Sequence, residues 1–380
     1  MIYFDNASTS KPYSEVLNTY TLLCQELIGN PSSANSLGGK SSAYIEKARL
    51  QIEKTLGLKS DSFKLIFTSG ATESNNEALL GYCRRHIKEG KHIITSQGEH
   101  ASVLNVFKEL EKEGFDVTYL GLDSSGQINY DQLLREVKKD GTILVSLMAV
   151  NNEVGTIYDL KKISKIVHTN SKAVFMSDVT QGIGKTQIDF NCLDMFSMSG
   201  HKVGGLKSSG FLAIKSNINL DPIFFGGEQE GGLRSGTLNA PLICSLATAL
   251  RIYMGSMKER NKKASALNQY LREQIGLLNE EASINSPEDN CSPFILNFVL
   301  NHYKASVLSE ALSAKEIYVT TQSACSSHSK SGSHVLEAMG KGEFISSNSL
   351  RLSFSGEEDI AQGETFMTEL RKLMETLKRI

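Results

Sequence analysis

From about residue 14 to residue 212 the chain alternates short apolar runs with segments of helical periodicity, and this alternation leaves few folds open. Strands separated by helices pair in parallel, because a parallel return needs a crossover that a helix supplies. The apolar runs predict strands at residues 64–68, 92–96, 116–120, 142–148, 173–177, 194–198 and 210–214. Helices are expected between them, for example at 39–56, 72–89 and 160–170, with Gly57 and Gly90 as stops for the first two. The expected architecture is α/β, a mostly parallel seven-stranded sheet flanked by helices. After Asn239 the pattern changes to a long helical region reaching about Asn279, then to a segment with Asn285, Ser286, Pro287 and Pro293. The remainder predicts strands near 294–300 and 349–354 and helices near 305–314 and 357–377, a smaller α/β domain.

Size and composition narrow the function classes. A chain of 380 residues with 40% hydrophobic content can bury a large core and suggests two domains more readily than three. Forty basic against 42 acidic residues give a formal charge of -2, so no basic field favours nucleic acid. The start, Met1-Ile2-Tyr3-Phe4-Asp5-Asn6, lacks a charged leader followed by an apolar segment, and runs such as 143–150 are too short to span a bilayer. A cytoplasmic protein without membrane contact is the expectation. The six cysteines have no Cys-x-x-Cys pair and no metal spacing with histidine, so neither disulfides nor a metal site is expected. Five of them, Cys24, Cys83, Cys192, Cys244 and Cys291, read as small buried hydrophobes. Cys325 differs, because it lies in a polar stretch rich in serine.

The segment Ser199-Gly200-His201-Lys202 follows a predicted strand. Burial disfavours the charged form of a lysine, so one held at a strand end is either paired or used as a neutral amine. Neutral amines form Schiff bases. With Asp178 upstream, this is the pair that pyridoxal phosphate requires: an amine for the aldehyde and a carboxylate to keep the ring nitrogen protonated. Thr68-Ser69-Gly70-Ala71-Thr72 joins a strand to a helix and would offer backbone N–H groups to a phosphate, although an ordinary capped turn has the same composition. His100 follows a strand and reads as a helix cap or as a ligand at the sheet edge. Together Thr72, His100, Asn152, Asp178, Gln181, Ser199, His201 and Lys202 each follow a predicted strand, which is what one sheet edge supplies to one site. The glycine-rich stretch 226–237 reads equally as a surface loop or as backbone approaching an anion or a neighbouring subunit. Cys325 is an incidental thiol or a nucleophile on a mobile tether. Arg351, on an alternating strand between Leu350 and Leu352, suits a bidentate grip on a carboxylate or a solvated edge.

In this order the motifs resemble those of the pyridoxal-phosphate-dependent cysteine desulfurases of the NifS/IscS group, within the class V aminotransferase superfamily. The resemblance rests on Tyr3-Phe4-Asp5-Asn6-Ala7, Gly29-Asn30-Pro31-Ser32-Ser33, Ser69-Gly70-Ala71-Thr72-Glu73-Ser74-Asn75-Asn76, Glu99-His100, Asn151-Asn152-Glu153-Val154-Gly155, Asp178 with Gln181, Ser199-Gly200-His201-Lys202, Arg234-Ser235-Gly236-Thr237 and Ser323-Ala324-Cys325. It implies fold type I, with a large cofactor-binding domain at 15–255. The small domain would comprise 1–14 and 256–380 and carry a catalytic cysteine loop at about 320–348. It also implies that Lys202 is the Schiff-base lysine and proton shuttle, that Asp178 pairs with the ring nitrogen, that His100 stacks on the ring and that Gln181 bonds its hydroxyl. Ala71, Thr72, Ser199 and His201 would hold the phosphate, with Thr237 reaching across from the second subunit of a homodimer. Asn152 and Arg351 would bind the carboxylate of L-cysteine, and Cys325 would take its sulfur as a persulfide, releasing alanine, for an acceptor such as an iron-sulfur scaffold or a tRNA-thiolating enzyme. Asn35, Ala149, Leu206, Gly231 and Gln322 depart from the residues common at their positions in that group. Two rivals remain at this stage: a selenocysteine lyase or aminotransferase of the same fold, and a binding protein that holds the cofactor without turnover.

Overall fold

The computed structural model describes residues 1–321 and 332–379; Cys325, Gln322 and Ser323 lie outside them. After the short β1 (Ile2–Tyr3), the predicted strands are β2 (Phe63–Thr68), β3 (His92–Ser96), β4 (Asp116–Leu120), β5 (Thr142–Ser146), β6 (Val174–Asp178), β7 (Met195–Ser199) and β8 (Gly210–Lys215). All seven of these form one sheet in the order β2-β8-β7-β6-β5-β3-β4. Neighbours are parallel except at β8, which runs antiparallel to both β2 and β7. The carboxyl ends of β2, β3, β5, β6 and β7 therefore lie along one edge.

Helices cover both faces, and the strand pleat divides the core between them. Leu65, Phe67, Phe175 and Phe196 pack on one face with Ile45, Ile52, Leu246 and Leu250. Ile66, Met176, Met195 and Leu212 pack on the other with Leu79, Val103 and Phe107. Burial on both sides explains why these strands read as continuous apolar runs. The helix Ser36–Leu56 begins before the expected residue 39, because the Asn35 side chain accepts from the Gly38 N–H at 2.9 Å. It ends at Gly57 with φ 64°. The long helical region is two helices, Ala240–Gly255 and Met257–Gly276, bent by 63° at Ser256.

Both ends of the chain build a second core. β9 (Ala282–Ile284), β10 (Ile295–Leu300) and β12 (Ser349–Ser353) form an antiparallel sheet in the order β12-β10-β9, while β1 pairs in parallel with β11 (Ile317–Tyr318). Ile2 and Phe4 are buried there with Leu267, Leu271, Phe298, Leu352 and Phe366. The Phe4 ring meets Phe354 edge-on at 5.2 Å. Among the described cysteines, Cys83 is buried and Cys192, Cys244 and Cys291 are half-buried. Cys24 is exposed, a correction to the expectation: it follows buried Leu23 by one residue, which turns it about 100° away from the helix's covered stripe. Among the described residues no single helix is long and apolar enough to cross a membrane.

Candidate active site

A cavity of about 200 Å³ lies at the carboxyl edge of the large sheet. Its lining includes Ala71, Thr72, His100, Asn152, Asp178, Gln181, Ser199, His201, Lys202 and Arg351. The eight residues expected at strand ends are thus brought to one place, joined by Arg351 from β12. Thr237 is exposed and does not line the cavity of its own chain.

At one end of the cavity is a helix amino terminus. Gly70 turns β2 into the helix Ala71–His86 with φ 144° and ψ -179°, a conformation open only to glycine. The Ala71 N–H donates to Ser199 Oγ at 2.7 Å, which ties this turn to the end of β7. Gly210 of β8 sits so close that a Cβ there would lie 2.5 Å from the Gly70 Cα. The first-turn N–H groups, which have no partner within their own helix, and the helix dipole suit this end to an anion. His201 Nδ1 lies 3.1 Å from Thr9 Oγ1, and burial, then Lys202 and Lys207, pull its pKa down to about 4. That shift favours the uncharged imidazole near neutral pH.

Asp178 closes β6 with its carboxylate already oriented. Oδ1 accepts from the Thr180 N–H at 3.0 Å and Oδ2 from Asn75 Nδ2 at 3.0 Å. Asn75 also donates to Ser102 Oγ at 2.8 Å and accepts from Ser197 Oγ at 2.5 Å. His100 Nδ1 accepts from the Ser102 N–H at 3.1 Å, capping the helix Ala101–Lys112, with Ser102 Oγ 2.8 Å away. This network assigns the ring proton to Nε2. His100 thus caps the helix and also lines the cavity. Beside it Glu99 is fully buried, and burial pushes its pKa up to about 8. Its Oε1 accepts from the Met148 N–H at 2.9 Å, while among the described residues Oε2 has no partner.

Lys202 Nζ donates to the carbonyls of Ala7 and Ser8, both at 2.5 Å. Gln181 Nε2 donates to the same Ala7 carbonyl at 3.0 Å, and its Oε1 accepts from Lys185 Nζ at 2.8 Å. Arg351 is 2% exposed, which corrects the solvated-edge alternative. Its guanidinium donates to the Asn152 carbonyl at 2.9 Å, to Asp5 Oδ1 at 3.0 Å and to Ser8 Oγ at 2.8 Å, and among the described residues its Nε has no partner. Asn151 is structural: its Oδ1 accepts the Glu153 and Val154 N–H groups and its Nδ2 reaches the Gly98 carbonyl.

The glycine-rich stretch is tied to the anion end. Arg234 Nε donates to Glu73 Oε1 at 2.7 Å, and the Ser69 N–H donates to the other Glu73 oxygen at 2.9 Å. Burial alone would raise the Glu73 pKa, but these bonds bring it below the usual range. Past the undescribed stretch, Ser333 Oγ donates to Glu153 Oε2 and His334 Nε2 lies 3.0 Å from the Glu99 carbonyl. Among the departures, Asn35 is a helix cap, Gly231 has φ 66°, the Leu206 carbonyl accepts from Ser209 Oγ, and Ala149 packs against Gly182. Sequence reasoning assigned no part to Asn75, Ser102, Asp5 or Lys185. Asn75 was detectable, since it sits one helical turn beyond Ala71 and on the same face.

The profile of the family described as Aminotransferase class-V matches residues 2–362. A Methanosarcina thermophila protein named cysteine desulfurase IscS is 38% identical over 355 residues, covering 93% of this chain and 86% of that one. A Dictyoglomus turgidum protein of the same name is 34% identical over 384 residues, covering 100% and 96%. A solved NifS-like protein superposes with a TM-score of 0.92 at 33% identity, covering 99% of this chain and 100% of that one. The large mixed sheet flanked by helices is that of fold type I. With a profile match and relatives that run nearly end to end, the chain belongs to the class V aminotransferase family, among its cysteine desulfurases.

Proposed function

We propose that this chain binds pyridoxal phosphate in the cavity at the sheet edge, removes the sulfur of L-cysteine onto Cys325 as a persulfide, and releases L-alanine. The observation that carries the reading is the convergence of Lys202, Asp178 and Arg351 on one cavity of about 200 Å³. The donor set fits the cofactor. A helix amino terminus with Ser199 and neutral His201 suits a phosphate, a pre-oriented carboxylate suits a pyridine nitrogen, and Lys202 is the amine within the lining. When bound, the cofactor supplies an electron sink for the carbanion left by loss of the substrate's Cα proton.

The residues divide the remaining work. Lys202 would hold the aldehyde and then move the proton at the substrate Cα. Asp178, fixed by Asn75 and Thr180, would keep a proton on the ring nitrogen, where charge must be held. His100 would stack on the ring, and Gln181 would bond its hydroxyl. Ala71, Thr72, Ser199 and His201 would hold the phosphate, and Thr237 would reach the cavity of a second copy, which its exposure leaves open. Arg351 would grip the substrate carboxylate together with Asn152. Its buried Nε, without a partner among the described residues, suits an acceptor on the substrate. Cys325 Sγ would attack the substrate sulfur, an S–S bond forming as the C–S bond breaks. The sulfur would pass to an acceptor protein, such as one building iron-sulfur clusters, in the cytoplasm.

We also assign the expected division, with residues 15–255 as the cofactor-binding unit and 1–14 with 256–380 as the smaller one. The separate core built from Ile2, Phe4 and residues beyond Leu267 supports it. The test is to reconstitute the protein with pyridoxal phosphate, incubate it with L-cysteine and count alanine. The parent should form alanine over many turnovers. Cys325→Ser should keep the cofactor and fall to background; alanine at the parental rate from that variant would remove Cys325 from the reaction.

A further inference from the structure

Lys185 is a buried amine for which the chemistry above has no use. It is 3% exposed. Among the described residues its one hydrogen-bond acceptor is Gln181 Oε1 at 2.8 Å, and no carboxylate pairs with it. Its Nζ also lies over the Phe294 ring, 6.0 Å from the centroid. Lys202, Arg260 and Arg351 are the charged groups that act on it, all of them cationic. Burial, reinforced by these three, brings its pKa down to about 7. Leaving a lysine in such a place is costly, and a methionine would fill the same volume at less expense. Its retention therefore asks for a role.

The two ends of a glutamine amide have nearly the same shape and opposite hydrogen-bonding character, so neighbours decide which end faces a cavity. Gln181 has two such neighbours. The Ala7 carbonyl can only accept, and it takes one Gln181 N–H at 3.0 Å. Lys185 supplies an N–H and takes the Gln181 oxygen. The Ala7 carbonyl also receives Lys202 Nζ at 2.5 Å, so it serves two donors. Ala7 holds the N–H end and Lys185 the oxygen end, and the two orient the amide in the same sense. Lys185 lies four positions beyond Gln181 in a run of helical turns, with its own N–H on the Gly182 carbonyl, so the distance between the two side chains is set by the backbone.

We propose that Lys185 is a positioning residue for the cofactor site: by holding the carbonyl oxygen of Gln181 it fixes that amide with its N–H end toward the cavity, where it meets an acceptor on the ligand. This rests on the functional reading above, since the acceptor is the hydroxyl oxygen carried on the ring of pyridoxal phosphate. Lys185 acts through Gln181 and does not touch the ligand.

The test is a double-mutant cycle on apoprotein, reading the dissociation constant of added pyridoxal phosphate. Lys185→Met and Gln181→Leu should each weaken binding about tenfold, and the double variant should be no weaker than Gln181→Leu alone. Gln181→Glu keeps a partner for Lys185 but removes the N–H, and it should weaken binding as Gln181→Leu does. Apoprotein melting curves separate these losses from unfolding, and the Gln181→Glu arm stands even if Lys185→Met does not fold. Losses that multiply to about a hundredfold in the double variant, or parental affinity in Lys185→Met or Gln181→Glu, overturn the role of Lys185. Failure of the parent to bind pyridoxal phosphate overturns the functional reading, and this proposal with it.

Discussion

Arg351 illustrates what a single side chain has to settle before substrate arrives. It is almost fully buried, and Asp5, Ser8 and the Asn152 carbonyl hold its guanidinium in one orientation. Arg351→Lys keeps the charge for Asp5 but loses the planar fork, so KM for L-cysteine should rise about 10- to 100-fold with a smaller change in kcat. Steady-state kinetics checks this; an unchanged KM would mean that the carboxylate is bound elsewhere. The alternation Leu350-Arg351-Leu352 told only that the side chain faces away from the leucines. An alternating strand presents the same pattern toward solvent and toward a cavity, so the burial of Arg351 could not be read. Asn75 was quoted within a motif yet given no part, because its worth lies in three partners distant in sequence: Asp178, Ser102 and Ser197. Lys185 was missed for another reason: its partner Gln181 is only four residues away, but its burial is not visible in the sequence.

At the scale of elements, the helix Ala71–His86 connects the anion end of the cavity to a buried weak point. Its Glu77 is 5% exposed, and Ile66, Leu212, Leu220 and Leu233 line the same small pocket. Burial, reinforced by Glu73 and opposed by Arg234, raises its pKa from 4.5 to about 8. A folded-state pKa above the unfolded one means that the protonated acid is favoured by folding. That contribution is complete below pH 4.5 and is lost as pH rises through about 8. Glu77→Leu removes the titrating group and should stabilise the apoprotein by about 1–3 kcal/mol at pH 8 and by less at pH 5. Melting curves at the two pH values test it, and a gain that does not grow with pH would contradict the assignment. Strand positions were legible to within a residue or two, because burial on both faces leaves continuous apolar runs. The break at Ser256 went unpredicted although Gly255-Ser256 is a pair at which helices bend sharply, and the 63° bend there leaves the two helices on different cores.

Across the whole molecule, two cores meet at the cavity. Arg260 is one of the ties between them: it donates to the Gly184 and Tyr253 carbonyls at 2.6 and 2.8 Å and to the Ser355 carbonyl at 3.2 Å. Its guanidinium also lies 3.3 Å from the centre of the Tyr253 ring. Arg351 of the second core thereby stands over the edge of the first sheet. The gathering of strand-end residues was legible, since parallel strands must bring their carboxyl ends to one edge. What the sequence did not show was a second lysine nearby, the buried Lys185 beside the half-buried Lys202. Lys202 lines the cavity, while Lys185 stands behind Gln181. Borohydride reduction of the protein loaded with pyridoxal phosphate, followed by peptide mass mapping, decides this directly. The account predicts a phosphopyridoxyl group on Lys202 and none on Lys185. A label on Lys185, or a protein that takes up no cofactor and carries no label, would contradict it.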